Sequence, residues 1–156
     1  MADFMRAVVF KVENQLFGVD IEKVQSIEKQ IDVVSVPNSM PFISGIVNLR
    51  GDVIPVFSLK KKFSMLDAQN ECENTIIIAL PDVSIALEVD EVMEITDFGA
   101  DKLADVPGIV MNESTQYLDK VASNNGSLIL LLDVDKLVSA DEAADIRRFA
   151  EDMKNE

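Results

Sequence analysis

The sequence contains no histidine and no tryptophan, and only one tyrosine and one cysteine. Each absence removes a class of chemistry. Without histidine, the commonest general base and the commonest transition-metal ligand are missing, so neither a Ser-His-Asp nor a Cys-His machine can be assembled. The lone Cys72 cannot close an internal disulfide, and its polar surroundings, Asp67 to Thr75, read as a loop in a reducing compartment. Basic residues are also scarce, 14 against 28 acidic ones. The resulting charge of −14 repels phosphate backbones and anionic lipid, so neither nucleic acid nor direct membrane contact is expected. No apolar run approaches the roughly twenty residues of a spanning helix. The longest are Thr75 to Leu80 and Leu128 to Leu132, and the stretch opening at Met1 meets Lys11 too soon for an export signal. The expected location is the cytoplasm.

Phosphate loops of the GxGxxG or GKS type are missing, as is the DxDxDG rhythm of a calcium loop. No cofactor or metal is expected. Carboxylates do gather in EVDEVMEIT, where Glu88, Asp90 and Glu91 stand close, but nothing beside them announces a pocket that raises one pKa. A solvated strand face is the expectation there, with no catalytic residues and no enzyme.

What is present is a β pattern. With 156 residues, 48% of them hydrophobic, the chain can bury a core as one domain or as two small halves sharing an interior. Short Val- and Ile-rich stretches broken by Gly, Pro, Asn and Asp run from Ala7 to Val138. In QLFGVDIEKV, Phe17, Val19 and Ile21 alternate with Gly18 and Asp20, as on a strand with one buried face. The pattern recurs. Phe17, Val19, Ile21, Val24 and Ile27 match Ile85, Leu87, Val89, Val92 and Ile95 at an offset of 68, and Pro37 is followed by Pro107. GDVIPVFSL from Gly51 matches GSLILLLDV from Gly126 at an offset of 75. Such spacing predicts two tandem β units, about 4–66 and 75–138 with strands free to interchange, packed as two small barrels. Lys60 to Thr75 holds the linker, and KKKF at Lys60 to Phe63 reads as a solvated strand end. Two helices are expected. A short one starts near Asn38 or Ser39 and stops at Gly45, and a C-terminal one over 139–156 opens with the capping-box pair Ser139 and Glu142.

The stretch NLRGDVIPVFSL places a charge between apolar runs. Gly51 suits a turn, and Asp52 lies within reach of Arg50 as a local ion pair. Pro55 lacks an N–H, which implies a strand not fully paired on one side, as at a sheet edge. An exposed arginine beside such a strand suits an interface, because its flat fork makes several bonds at once.

VFKVENQLFGVDIEKVQSIE, VPNSMPFISGIVNLRGDVIPVFSLKKKF, IALEVDEVMEI and GSLILLLDVDKLV together resemble the successive signatures of the CheW family of chemotaxis coupling proteins, over about residues 4–140. Pro41, Gly45, Asn48, Leu49, Arg50, Gly51 and Pro55 are the specific part of that likeness. The sequence departs from the family pattern where Ser58 replaces an acid, where Glu88 replaces an apolar or small residue, and where glycine is lacking after Tyr117.

The resemblance implies two interlocked five-stranded SH3-like barrels. It implies a non-enzymatic adaptor between the cytoplasmic tip of a methyl-accepting chemotaxis receptor and the regulatory domain of the histidine kinase CheA, recruited to receptor arrays and monomeric when isolated. By motif position, Arg50 and Asn48 organise the signalling interface. Val24 and Gln25 lie near a receptor groove, and Gly45 and Gly51 admit a close backbone. Val24 also fits the core register of Ile21, and the three lysines from Lys60 have an acidic receptor tip as an alternative destination. The competing binding-module reading, an SH3-like peptide binder outside chemotaxis, calls for more aromatics than this chain offers.

Overall fold

A computed structural model describes residues 4–29, 31–35, 42–63, 65, 72–81, 83–111, 115–137 and 148. Along them run eleven strands: β1 (Phe4–Val12), β2 (Gln15–Asp20), β3 (Val24–Lys29), β4 (Ile43–Leu49), β5 (Asp52–Ser58), β6 (Asn74–Ala79), β7 (Ser84–Val89), β8 (Glu91–Gly99), β9 (Leu103–Asp105), β10 (Leu118–Asn124) and β11 (Ser127–Leu132). Two single-turn helices, α1 (Leu59–Lys62) and α2 (Val134–Leu137), follow β5 and β11.

The strands form two sheets, ordered β8-β1-β2-β11-β10-β9 and β3-β6-β7-β5-β4. Both curl. In the first, the edge strands β8 and β9 are joined only by the 3₁₀ turn Ala100–Lys102. Such a link reaches about 14 Å, whereas the edges of a flat six-stranded sheet stand about 24 Å apart. β8 and β9 are therefore one bent strand closing a barrel, which is why six strands occur where five are expected. In the second sheet the chain beyond β3 returns to β4, where Val34 and Ile46 exchange two hydrogen bonds of 2.8 Å. The architecture is mainly β, two small SH3-like barrels. Sheet membership crosses the linker, because β1 and β2 join β8 to β11 while β6 and β7 join β3 to β5.

Strand alternation builds three cores. Val8, Phe10, Val12, Phe17 and Val19 from the first sheet meet Phe57, Ile76, Ile78, Ile85, Leu87 and Val89 from the second in a central core between them. The opposite faces fill the barrels, with Ala7, Val9, Phe98, Ala122, Ile129 and Leu131 in one and Val47, Ile54, Val56, Ile77 and Ala86 in the other. β2 is thus covered on both faces, not one: Gly18 is buried against Leu131 and Ala7, where a Cβ would stand 2.7 Å from the Leu131 side chain.

The internal repeat holds at the level of register. Val56 and Phe57 pair in parallel with Ala86 and Leu87, and Leu131 and Leu132 pair in parallel with Gly18 and Val19, so the offsets of 75 and 68 carry one set onto the other. Irregularities repeat too. The β4 bulge between Ile43 and Gly45 recurs in β10 between Leu118 and Lys120, and the shift at Val24 and Ser26 in β3 recurs at Val92 and Glu94 in β8. The closing bridge Val34 to Ile46 likewise recurs as Ala104 to Val121.

Several sequence expectations change. Asn38, Ser39 and Pro41 lie outside the described residues, but Ile43 to Gly45 are strand and not helix, because Ile43 pairs with Phe57 and Phe42 O accepts from Ser58 N at 2.8 Å. β-branched Ile43, Ile46 and Val47 favour that outcome. β5 is not an edge strand, yet its ladder with β7 begins at Val56, one residue past Pro55, so the missing N–H interrupts nothing. The proposed cap at Ser139 and Glu142 lies outside the described residues. α2 begins earlier, capped by Asp133 Oδ1, which accepts from Asp135 N at 3.0 Å.

Candidate partner-binding surface

The β4–β5 hairpin turns on two residues, Arg50 at φ 53° and Gly51 at φ 91°. This is the left-handed pair of a type I′ turn, in which glycine carries no steric penalty. Gly51 has open space around it, so its backbone angle, not a close neighbour, calls for glycine. Asn48 Oδ1 accepts from Gly51 N at 3.1 Å and braces the turn. The Arg50 side chain is 70% exposed, and its acid is not Asp52 but Glu28 of β3, at 3.8 Å, brought near by barrel closure. At that distance, and with the guanidinium itself in solvent, the half-buried Glu28 holds it only loosely. The equivalent turn in the other barrel is Asn125–Gly126, at φ 52° and 86°. Asparagine suits that backbone and arginine does not, so turn geometry alone gives no reason for Arg50.

Gly45 has a different role. A Cβ there would lie 2.1 Å from the backbone oxygen of Val34, so the residue marks a close approach of two chain segments at the barrel seam. On β3, the bulge leaves Gln25 exposed, and its Oε1 accepts from Ser84 Oγ at 3.1 Å. Val24 packs against the central core. The structure thus gathers Gly45, Asn48, Arg50 and Gly51 on one hairpin and separates Val24 from Gln25.

Sequence reasoning missed that apolar residues of the outermost strands β3 and β8 reach the surface. Ile27, Met93 and Ile95 are exposed, the last two by 47% and 55%. The bulges keep Val24 with Ile27 on one face, opposite the core residues Ile78 and Ile76, and Val92 with Ile95 on one face, opposite Phe10 and Val8. It is their place on the outermost strands β3 and β8 that leaves Ile27 and Ile95 exposed. A groove of about 580 Å³ runs between the sheets, lined by Lys29, Glu73, Asn74, Glu91 and Val92. Asn74 Oδ1 spans it, accepting from Val92 N at 2.9 Å.

Lys60 is no solvated strand end. It sits in α1, whose first turn is capped by Ser58 Oγ, and it is buried. Its Nζ lies 2.9 Å from Glu13 Oε2 and 2.9 Å from Asp90 Oδ1. Asp90, expected on a solvated face, is buried with it. Lys62 lies over the Phe42 ring at 4.5 Å, so of the three lysines Lys61 alone is exposed. Sequence reasoning could not find this cluster, since its members come from three separate segments. Among the described residues no group of acids and cysteine could hold a metal, and no helix is long and apolar enough to cross a membrane.

The profile of the CheW-like domain matches residues 6–142. The chain belongs to the CheW-like family. It is 30% identical to chemotaxis protein CheW of Klebsiella aerogenes over 139 residues, covering 88% of this chain and 83% of that one. It is 26% identical to chemotaxis protein CheW of Thermotoga maritima over 132 residues, 83% and 84% of the two chains. The crystal structure of scaffolding protein TtCheW from Thermoanaerobacter tengcongensis superposes with a TM-score of 0.79 at 27% identity, over 88% of this chain and 94% of that one. The first two relatives are chemotaxis proteins by name, and the solved one is a scaffolding protein.

Titration of this CheW-like chain follows from its buried cluster. Burial lowers the Lys60 pKa, but hydrogen bonds to Glu13 and Asp90 outweigh it and leave the ammonium above its ordinary 10.5. Cys72 is an exposed residue at the rim of this cluster, yet partial burial of its thiol pushes the pKa up from 9.0 to about 11; Lys60 opposes this, and Glu88, Asp90 and Glu13 add to it. Both folded-state values are raised, so the stability they contribute is fully present below the unfolded values and is lost as pH rises through the folded ones. Thermal melts should show Tm falling between pH 9 and 11, more shallowly in Cys72→Ser. An equally steep fall in that variant would remove the thiol from the account.

Proposed function

We propose that this CheW-like chain is a non-enzymatic cytoplasmic adaptor that couples the tip of a methyl-accepting chemotaxis receptor to the regulatory domain of the histidine kinase CheA in signalling arrays. The observation that carries the proposal is Arg50, a largely exposed arginine kept at a left-handed turn position where asparagine would be easier. A planar guanidinium on a braced hairpin tip is pre-organised to anchor a partner, and desolvation by that partner would strengthen bonds that water now weakens. The hairpin with Gly45, Asn48, Arg50 and Gly51 is the proposed kinase face. Gln25 on its bulge, with Val24 and the exposed Ile27 of the same strand and the exposed Met93 and Ile95 of β8, is the proposed receptor face. Bulges commonly re-aim side chains at such sites, and an apolar strip rimmed by polar groups suits a helical partner.

Titration calorimetry of the full chain against the isolated CheA regulatory domain tests the proposal. Saturable one-to-one binding, with Tm rising as the logarithm of ligand excess, is expected. No heat and no Tm shift at high micromolar domain would overturn the kinase half of it.

A further inference from the structure

The two proposed faces are linked through a buried cluster that neither uses. Asp90 stands between the last residue of β7 and the first of β8, where the chain crosses from one sheet to the other. Four of its polar atoms are engaged. Oδ1 meets Lys60 Nζ at 2.9 Å, Oδ2 accepts from Glu13 N at 2.7 Å, its N donates to Lys11 O at 2.9 Å, and its O accepts from Glu73 N at 3.0 Å. Lys60 reaches in from α1, at the end of the strand that starts beside Arg50, and also holds Glu13 in the β1–β2 turn. Side-chain exposures of 11% for Lys60, 17% for Glu13 and 7% for Asp90 exclude most water.

This cluster underlies the groove between the sheets. Glu73, bonded to Asp90 O, forms part of the groove wall, and so do Glu91 and Val92, the next two residues along the chain. Apolar packing in the central core already joins the sheets, and it is non-directional, so it tolerates sliding. Directional bonds do not. A buried ion cluster adds little net stability over an apolar replacement, and its attested use is to select one arrangement among several.

We propose that Lys60 is a positioning residue that fixes the separation of the two groove walls, and so sets the shape offered to the receptor tip. The groove's occupant rests on the function proposed above; the positioning itself does not. The ammonium acts as a two-pronged clamp, one prong on the β1–β2 turn and the other on the sheet crossing.

The test uses the full chain with Lys60→Met, Glu13→Gln and Asp90→Asn combined, which removes all three charges together and leaves no buried carboxylate unpaired. Two readouts are taken: amide hydrogen exchange at Glu13, Glu73 and Val92, and affinity for a receptor-tip fragment. Exchange at these amides should speed up by about tenfold or more while Tm changes little, since local opening is separable from global unfolding. Affinity for the fragment should fall by about tenfold, with kinase-domain affinity unchanged. Lys60→Arg in the otherwise wild-type chain, which keeps a cation between Glu13 and Asp90, should leave both near their wild-type values. If the triple variant does not fold, Glu13→Gln alone should speed exchange at Glu13 and leave Tm nearly unaltered. Unchanged exchange at these amides in the folded variant would overturn the positioning role whatever the receptor does. Faster exchange in a protein whose wild type ignores the receptor fragment would leave the clamp standing and sink the receptor assignment.

Discussion

Gly45→Ala should cost about 3–5 kcal/mol of folding stability, combining the loss of two backbone hydrogen bonds with backbone displacement at a packed site. The reason is that the new Cβ would stand 2.1 Å from Val34 O, a backbone atom with no rotamer to change. Relief requires the Val34 strand to leave β4, and with it go the two 2.8 Å bonds between Val34 and Ile46 that close the second barrel. Gly51→Ala is the matching control. It meets nothing within 4 Å, so it bears only the left-handed backbone penalty of about 1–2 kcal/mol. Urea denaturation of both variants separates the causes. A Gly45→Ala loss no larger than that of Gly51→Ala would mean that the seam yields easily and that the closing bridge contributes little.

How much of this is legible in sequence depends on range. The offsets of 68 and 75 report a real duplication because each repeated run carries its own alternation, and alternation is a local property. Neither offset can say which strands share a sheet. β1 and β2 pair with β8 and β11, far along the chain, and only three-dimensional closure reveals the exchange. The same limit hides Lys60. Three consecutive lysines look solvated on their own, and burial becomes tolerable only when Glu13 and Asp90 arrive from distant segments. The expected helix does not extend to Gly45 for a related reason, since its stop signal is local and the pairing of Ile43 with Phe57 overrides it. At the site, Asn48, Arg50 and Gly51 are legible because a two-residue turn is itself local. Ile27 and Ile95 read as core in sequence and do stand opposite the core residues Ile76 and Val8, but each lies on the outermost strand of its sheet and is exposed, and strand order is not a local property.

Arg50→Glu should keep the fold and lower affinity for the kinase regulatory domain by about 30-fold or more, the size expected when an arginine anchor becomes a like-charged intruder. Stability is a poor guide to this loss. Glu28 is half-buried but lies 3.8 Å from a guanidinium that stands mostly in solvent, so loss of the pair costs about 1 kcal/mol or less, although the new carboxylate beside Glu28 adds a small repulsion. Arg50→Asn makes the sharper comparison. Asparagine occupies the equivalent position 125 at φ 52°, so the substitution should raise stability by about 1 kcal/mol through relief of the left-handed arginine. It should nonetheless weaken the kinase complex, because the fork is gone. Arg50→Lys keeps the charge without the fork, and its affinity should fall between wild type and Arg50→Asn. A variant more stable than wild type and weaker in binding would show that the arginine is retained against the preference of its own turn. Wild-type affinity in both Arg50→Asn and Arg50→Glu would instead move the kinase face away from this hairpin.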